Sequence, residues 1–180
     1  MKRSKKSKYI AFGGIITALS VLLMVLTGVI PVLIYSTPII VGLFLMLVVI
    51  EMGKKWAFAV YFAVSVLSIL FVAEKESAAV YVAFFGYYPI LKPILESIKV
   101  KPVEWILKIL IFNATMITSY FLLINFFGIE ISFGNMAFEI IVAILLVLGN
   151  VLFLLYDIVF TRLVTVYIKV WSKRVHKFLK

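Results

Sequence analysis

Residues 9–50, YIAFGGIITALSVLLMVLTGVIPVLIYSTPIIVGLFLMLVVI, decide the fold class because 42 successive positions carry no charged side chain. About 20 apolar residues are enough to cross the hydrocarbon core of a bilayer as a helix. The run is long enough for two such helices, and it is continuous rather than alternating, which favours helices over strands. Pro31 and Pro38 are predicted to separate the two, because proline interrupts helical hydrogen bonding.

The rest of the chain repeats this pattern. Of its 180 residues 65% are hydrophobic, the mean hydropathy is +1.20, and residues 109–129 form another uncharged run of 21 positions. Only helices and closed barrels satisfy all backbone polar groups within lipid. The sequence therefore predicts an all-α membrane bundle that forms a single transmembrane domain, 1–180. Its six predicted spans are 9–30, 34–50, 56–73, 77–91, 105–127 and 138–162; span 77–91 is the shortest.

The basic residues predict the orientation of the bundle. Lys and Arg concentrate in the cytoplasmic loops of membrane proteins. Six spans place all 18 basic residues except Lys75 on one side, in the N-terminal tail 1–8, in two loops and towards the C-terminal tail 163–180. We expect a protein of the cell membrane with both termini in the cytoplasm.

Two basic segments are amphipathic. Residues 90–105, ILKPILESIKVKPVEW, are predicted to form an elbow at the cytoplasmic interface, and the tail 163–180 has a similar character. The elbow is expected to lie on the membrane or meet a partner, with a simple connector at the headgroups as the alternative. The basic residues of the tail are expected to bind anionic lipid. The net charge of +10 is explained by topology and lipid binding, so we expect no nucleic-acid partner.

The chain lacks the residues that common catalytic and metal sites need. It has no cysteine and one histidine, His176, which excludes thiol chemistry and disfavours a zinc site. It also lacks a Walker loop and the HExxH and GxSxG motifs. The sequence predicts no enzyme activity, no catalytic residue, no metal and no cofactor.

The sixth predicted span carries a polar stripe. Glu139, Asn150 and Asp157 are separated by 11 and 7 residues, which places them on one helical face. The stripe must face the bundle, because polar groups are costly in lipid. Asn113 lies at the depth of Asn150, so an interhelical amide pair is expected, with a ligand contact as the alternative. Asp157 is predicted to form an ion pair with Lys92, Lys108 or Arg162 that holds the cytoplasmic ends of the helices together. The alternative is that Asp157 belongs to a proton or substrate site.

The outer half of the bundle holds the candidates for a ligand site. Its aromatic side chains can stack on a flat ligand, and its polar groups can orient one. Taken singly, each residue also fits a structural role, since aromatics anchor helices at interfaces. The candidate ligand-binding residues are Tyr35, Glu74, Tyr81, Tyr120, Glu139 and Asn150.

The first span carries a row of small residues. Ala11, Gly14 and Ala18 in the stretch AFGGIITALS follow a spacing of i, i+3 and i+7. Small residues four apart let helices approach closely. The row predicts either packing within the bundle or a docking face for a separate membrane protein, and similar pairs occur at 59/63 and 79/83.

Together these features resemble the substrate-binding S components of energy-coupling factor transporters. Those are small six-helix membrane proteins with cytoplasmic termini, and the first helix of the family docks on a transmembrane coupling subunit through an alanine-rich small-xxx-small motif. Gly14 and Ala18 in KYIAFGGIITALS occupy the matching place, with glycine where the family has alanine.

The resemblance implies uptake of a small micronutrient. It implies a ligand pocket in the outer half, between the first loop and the last three spans, a transmembrane coupling subunit, and separate ATPase subunits. The main alternative is a scaffold or envelope-assembly protein without a small-molecule ligand. A lipid-modifying enzyme and a stand-alone carrier are lesser alternatives.

Overall fold

The computed structural model of the chain describes residues 2–30, 32–127 and 138–171, and these contain helices and no β-strand. The elements are α1 (Lys2–Leu26), α2 (Leu33–Met52), α3 (Lys54–Phe71), α4 (Lys75–Val80), a π-helical turn (Tyr81–Phe85), α5 (Tyr88–Leu95), α6 (Lys101–Phe127) and α7 (Phe138–Val170).

Within the described residues, six stretches are long and apolar enough to cross a bilayer. This confirms the predicted all-α architecture with six candidate membrane spans. The fourth stretch combines α4, the π-helical turn and α5 into 21 residues, and it is called the fourth span below. The six are Lys6–Leu26, Leu33–Met52, Lys54–Phe71, Lys75–Leu95, Lys101–Asn125 and Leu146–Val170.

The two ends of the bundle differ in charge. At one end, called the basic end, Gly53 alone joins α2 to α3. This end also holds the lysines at positions 54, 55, 92, 99, 101 and 108, each within about two turns of a helix end. Gly53 has a φ of 89°, a conformation that glycine adopts without a steric penalty. The opposite end, called the far end, carries Lys75 at the start of α4.

The bundle core has two parts that meet at α2 and the fourth span. The first part is aliphatic and joins α1, α2 and α3 around side chains such as Met24, Leu45 and Val64. The second is aromatic and joins α5, α6 and α7, with the rings of Phe112 and Phe153 stacked at 4.7 Å. The fourth span contributes to both, so it lies at the centre of the bundle.

The π-helical turn is held by close contacts from α3. The Gly86 N–H donates to the Tyr81 carbonyl at 2.7 Å, and the Tyr61 hydroxyl donates to the Val82 carbonyl at 2.8 Å. A Cβ at Gly86 would lie 2.6 Å from the Tyr61 ring. Only glycine therefore fits here, and π-helical turns of this kind are frequent at functional sites.

The place of Pro38 and the end of the last span differ from the sequence expectation. Pro38 does not end a helix: it is buried in the second turn of α2, where a missing N–H removes only the bond to the carbonyl four residues earlier. Pro31 lies outside the described residues. Helix α7 continues past 162 to Val170, so part of the expected tail 163–180 extends the last span, and residues 172–180 lie outside the described chain.

Candidate functional site

Asp157 is the centre of a buried charge cluster at the basic end. Its carboxylate is 3% exposed. The Tyr88 hydroxyl and the Lys92 ammonium of α5 both donate to Oδ1, and Lys108 Nζ of α6 donates to Oδ2 at 3.0 Å. One carboxylate of α7 thus joins three helices.

The charge cluster extends from Asp157 through two further carboxylates. Lys92 Nζ lies 2.7 Å from Glu96 Oε1, and Lys108 Nζ lies 2.9 Å from Glu104 Oε1. Lys101 Nζ lies 2.7 Å from Glu104 Oε2. Three lysines therefore meet three carboxylates, and of these Lys92, Glu104, Lys108 and Asp157 are buried.

Every charge in this arrangement is paired, and the pairs connect α5, α6 and α7. Buried charges are tolerated when they are paired and hydrogen-bonded, and each charged group of the cluster has an opposite charge within ion-pair distance. The ring of Trp105 adds a cation–π contact with Lys108 Nζ at 4.9 Å. The geometry favours the structural interpretation of Asp157 over a proton or substrate site.

Two expectations about the basic end differ from the structure. Arg162 is exposed and is not among the groups that bond to Asp157 in the described chain, because a helix turns by about 140° over five residues. Residues 90–95 do not form a segment separate from the fourth span: they belong to α5, and Lys92 is buried at the basic end, since its ammonium pairs with Asp157 there.

Asn113 of α6 and Asn150 of α7 form a reciprocal amide pair. Asn113 Nδ2 donates to Asn150 Oδ1 at 3.0 Å, and Asn150 Nδ2 donates to Asn113 Oδ1 at 2.8 Å. Each Nδ2 also donates to the carbonyl four residues earlier in its own helix. Both amide N–H groups of Asn150 are occupied, so the geometry favours the packing role over the ligand contact.

Of the other candidate ligand residues, only Tyr35 and Tyr120 come near each other within the described chain, beside Glu76. The Tyr35 hydroxyl donates to Glu76 Oε2 at 3.1 Å near the far end, and half-buried Tyr120 lies near this pair. Glu74 precedes α4 and is half-buried. Tyr81 is buried in the aliphatic core. Glu139 belongs to α7, but its side chain lies outside the described part of the structure.

A groove of about 460 Å³ opens between α3, the fourth span and α6, on the side of the π-helical turn towards the far end. Ala79 and Ala83 lie on its floor, and exposed Ile69 and Leu122 lie on its two walls. We call it the lateral groove because its walls belong to the outer surface of the bundle. Its lining residues are Ile69, Lys75, Ala78, Ala79, Val82, Ala83, Ala114, Thr115, Thr118, Ser119, Leu122 and Leu123.

The polar groups of the lateral groove are few. The hydroxyls of Thr115, Thr118 and Ser119 donate to backbone carbonyls of α6, so they present oxygen lone pairs to the groove. Lys75 Nζ donates to the carbonyls of Ile69 and Val72 at 2.9 and 2.8 Å. Within the described ranges, Lys75 forms no ion pair.

Sequence reasoning missed the lateral groove. None of its lining residues was a ligand candidate, and the pair 79/83 was assigned to packing. Two signals pointed to it: Lys75 is the one basic residue placed on its side of the bundle, and α6 carries three hydroxyls at 115, 118 and 119.

The small-residue row of α1 faces away from the bundle. Ala11, Gly14 and Ala18 are exposed, and a Cβ at Gly14 would meet nothing within 4 Å. The neighbouring Gly13 faces inward instead, where a Cβ would lie 3.3 Å from Val60. The geometry therefore favours an outward docking face over packing within the bundle.

Comparisons of the chain with protein families, with curated proteins and with solved structures find no match. A functional proposal therefore depends on the residues and their geometry.

Proposed function

We propose that this protein is a membrane-embedded substrate-binding subunit for the uptake of a small micronutrient, and that it works with separate ATPase and coupling subunits, as S components do. The observation that carries the proposal is the lateral groove. Ligand pockets typically have volumes of about 300–1,000 Å³ and are mostly apolar with a few polar groups, and the groove of about 460 Å³ has this character.

The orientation is part of the proposal. The basic end is the cytoplasmic end, following the positive-inside rule, so the groove belongs to the outer half of the bundle. Both termini are then cytoplasmic in the cell membrane. The exposed lysines of the basic end, at positions 54, 55, 99 and 101, also contact anionic lipids of the inner leaflet.

The outward row on α1 supports a partner in the membrane. Helices associate in lipid through small residues that allow close backbone approach, and Ala11, Gly14 and Ala18 provide such a surface between exposed leucine and isoleucine side chains. The row and the lateral groove are distinct surfaces, since α3 packs against α1 and also forms a wall of the groove. A coupling subunit can therefore dock without blocking a ligand.

Co-purification from the native membrane tests this function. We expect the tagged full chain to retain a transmembrane coupling subunit and ATPase subunits, and we expect Gly14→Leu and Ala18→Leu to lose them. Ala59→Leu is the matched control, because Ala59 is an exposed small residue on another helix. Equal recovery of partners with all three variants would contradict the docking face, and recovery of envelope-assembly proteins alone would favour a scaffold.

A further inference from the structure

We propose that the lateral groove binds a compact organic anion, whose apolar body fills the groove and whose single acidic group pairs with Lys75. The inference rests on the proposed function in taking the groove as the substrate site. It names the class of substrate, which neither the sequence nor the fold assigns.

The size of the groove limits the apolar body. A cavity of about 150 Å³ accommodates benzene, so a volume of about 460 Å³ accommodates roughly 18 non-hydrogen atoms. A two-chain phospholipid is larger than this. The groove therefore fits one small molecule.

The shape of the groove favours a compact body over an extended chain. Its floor runs from Lys75 to Ala83 along the fourth span, which is about 12 Å at a rise of about 1.5 Å per residue. An extended acyl chain of 18 atoms is about 20 Å long, given bonds of about 1.5 Å. A ligand with a ring system or a branched skeleton matches both the length of the groove floor and the volume of the groove.

The charge of Lys75 specifies the acidic group. An ammonium has three N–H donors, and Lys75 gives two of them to the carbonyls of Ile69 and Val72. The nearby carboxylate of Glu76 accepts from Tyr35 instead. Among the described residues, one donor and the positive charge of Lys75 therefore remain without an ion-pair partner. They lie at the rim of an apolar groove, where a charge-assisted hydrogen bond is stronger than a neutral one.

The α6 hydroxyls limit the ligand to one acidic group. Because Thr115, Thr118 and Ser119 donate their protons to backbone carbonyls, their hydroxyls offer lone pairs to a ligand while those bonds are kept. Lone pairs accept N–H or O–H donors and repel a second carboxylate. The acidic group therefore lies at the Lys75 end and the neutral body lies against α6.

Calorimetry with two probes of matched shape tests the inference. 1-Naphthaleneacetate carries a carboxylate, and 1-naphthaleneacetamide replaces it by a neutral amide. We expect the full chain in nanodiscs to bind the acid at least about tenfold more tightly than the amide, since one charge-assisted bond distinguishes them. Lys75→Gln should remove this preference, Lys75→Arg should keep it, and Ala83→Leu should weaken both probes by filling the groove.

The controls for this inference, and the results that would contradict it, differ from those that test the transport role. Lys54→Gln and Ala59→Leu change a lysine and an exposed alanine away from the groove, and both should leave the two affinities unchanged. Equal affinity for acid and amide, no binding of either, or a preference that survives Lys75→Gln would overturn the inference. Displacement of the acid by palmitate or phospholipid would assign the groove to lipid. Lys75-dependent binding without co-purifying ATPase subunits would keep this site and refute the transport role.

Discussion

Replacing Asp157 by asparagine tests the role of the buried charge cluster. The amide keeps the size of the side chain but removes the negative charge that Lys92 and Lys108 share. Breaking a buried ion pair from one side costs about 3–5 kcal/mol. After the substitution, Lys92 is still paired with Glu96 and Lys108 is still paired with Glu104. We therefore expect the free energy of unfolding to fall by the lower value of this range, about 3 kcal/mol.

This loss is large enough to measure by thermal unfolding. For a chain of this size, 1 kcal/mol shifts Tm by about 2–4 °C, so Asp157→Asn should lower Tm by about 6–12 °C. Tryptophan fluorescence in nanodiscs is a suitable assay, because Trp105 contacts Lys108 and reports on the cluster. Arg162→Gln is the matched control, since Arg162 is exposed outside the cluster, and it should change Tm by less than about 2 °C.

The affinity of the lateral groove for its probes is the second quantity to measure in Asp157→Asn. The charge cluster lies at the basic end and the lateral groove lies towards the far end, so Asp157→Asn should leave probe affinity within about twofold at temperatures where the protein is folded. An unchanged Tm would refute the structural role of Asp157. A large loss of affinity at an unchanged Tm would instead make the carboxylate part of a substrate or proton site.

Three further predictions follow from single contacts. Asn150→Leu removes the amide pair with Asn113 and should lower the free energy of unfolding by about 1 kcal/mol in the same melting assay; no change would mean that the pair adds nothing to stability. Gly86→Ala places a Cβ against the Tyr61 ring and should strongly reduce the yield of monodisperse protein. The control Gly14→Ala places its Cβ in open space and should leave the yield unchanged. Equal yields of the two variants would refute the close packing of the π-helical turn. Lys55→Cys introduces the one thiol of a chain without cysteine, and a membrane-impermeant maleimide should label it only in opened cells; labelling of intact cells would reverse the proposed orientation.

The helical spans and the internal polar pairs were accessible to sequence reasoning because they depend on spacing. Charge-free runs set the number of helices, and the depth of Asn113 in its span matched that of Asn150. For Asp157, the sequence limited the predicted partners to three basic residues, Lys92, Lys108 and Arg162, without choosing among them. Choosing among them required the angular position of each side chain, and Arg162 lies on the wrong side of α7 for this contact.

The lateral groove and the orientation of α1 were not accessible in this way. The groove forms where α3 and α6 separate over small residues such as Ala83, and a gap between helices leaves no periodic signal in the chain. From Tyr9 to its end at Leu26, helix α1 carries no charged residue on any side, so its hydrophobic pattern does not identify an inner face. Packing decides that Gly13 faces α3 while Gly14 faces outward.

Native mass spectrometry of the tagged full chain, released from its own membrane in nanodiscs, tests the substrate-binding claim most directly. We predict a bound small molecule in the unaltered protein, and its loss in Ala83→Leu but not in the control Ala59→Leu. The mass and charge of the released molecule would also identify its chemical class. A protein without any bound molecule, or one whose bound molecule is unaffected by Ala83→Leu, would contradict the account.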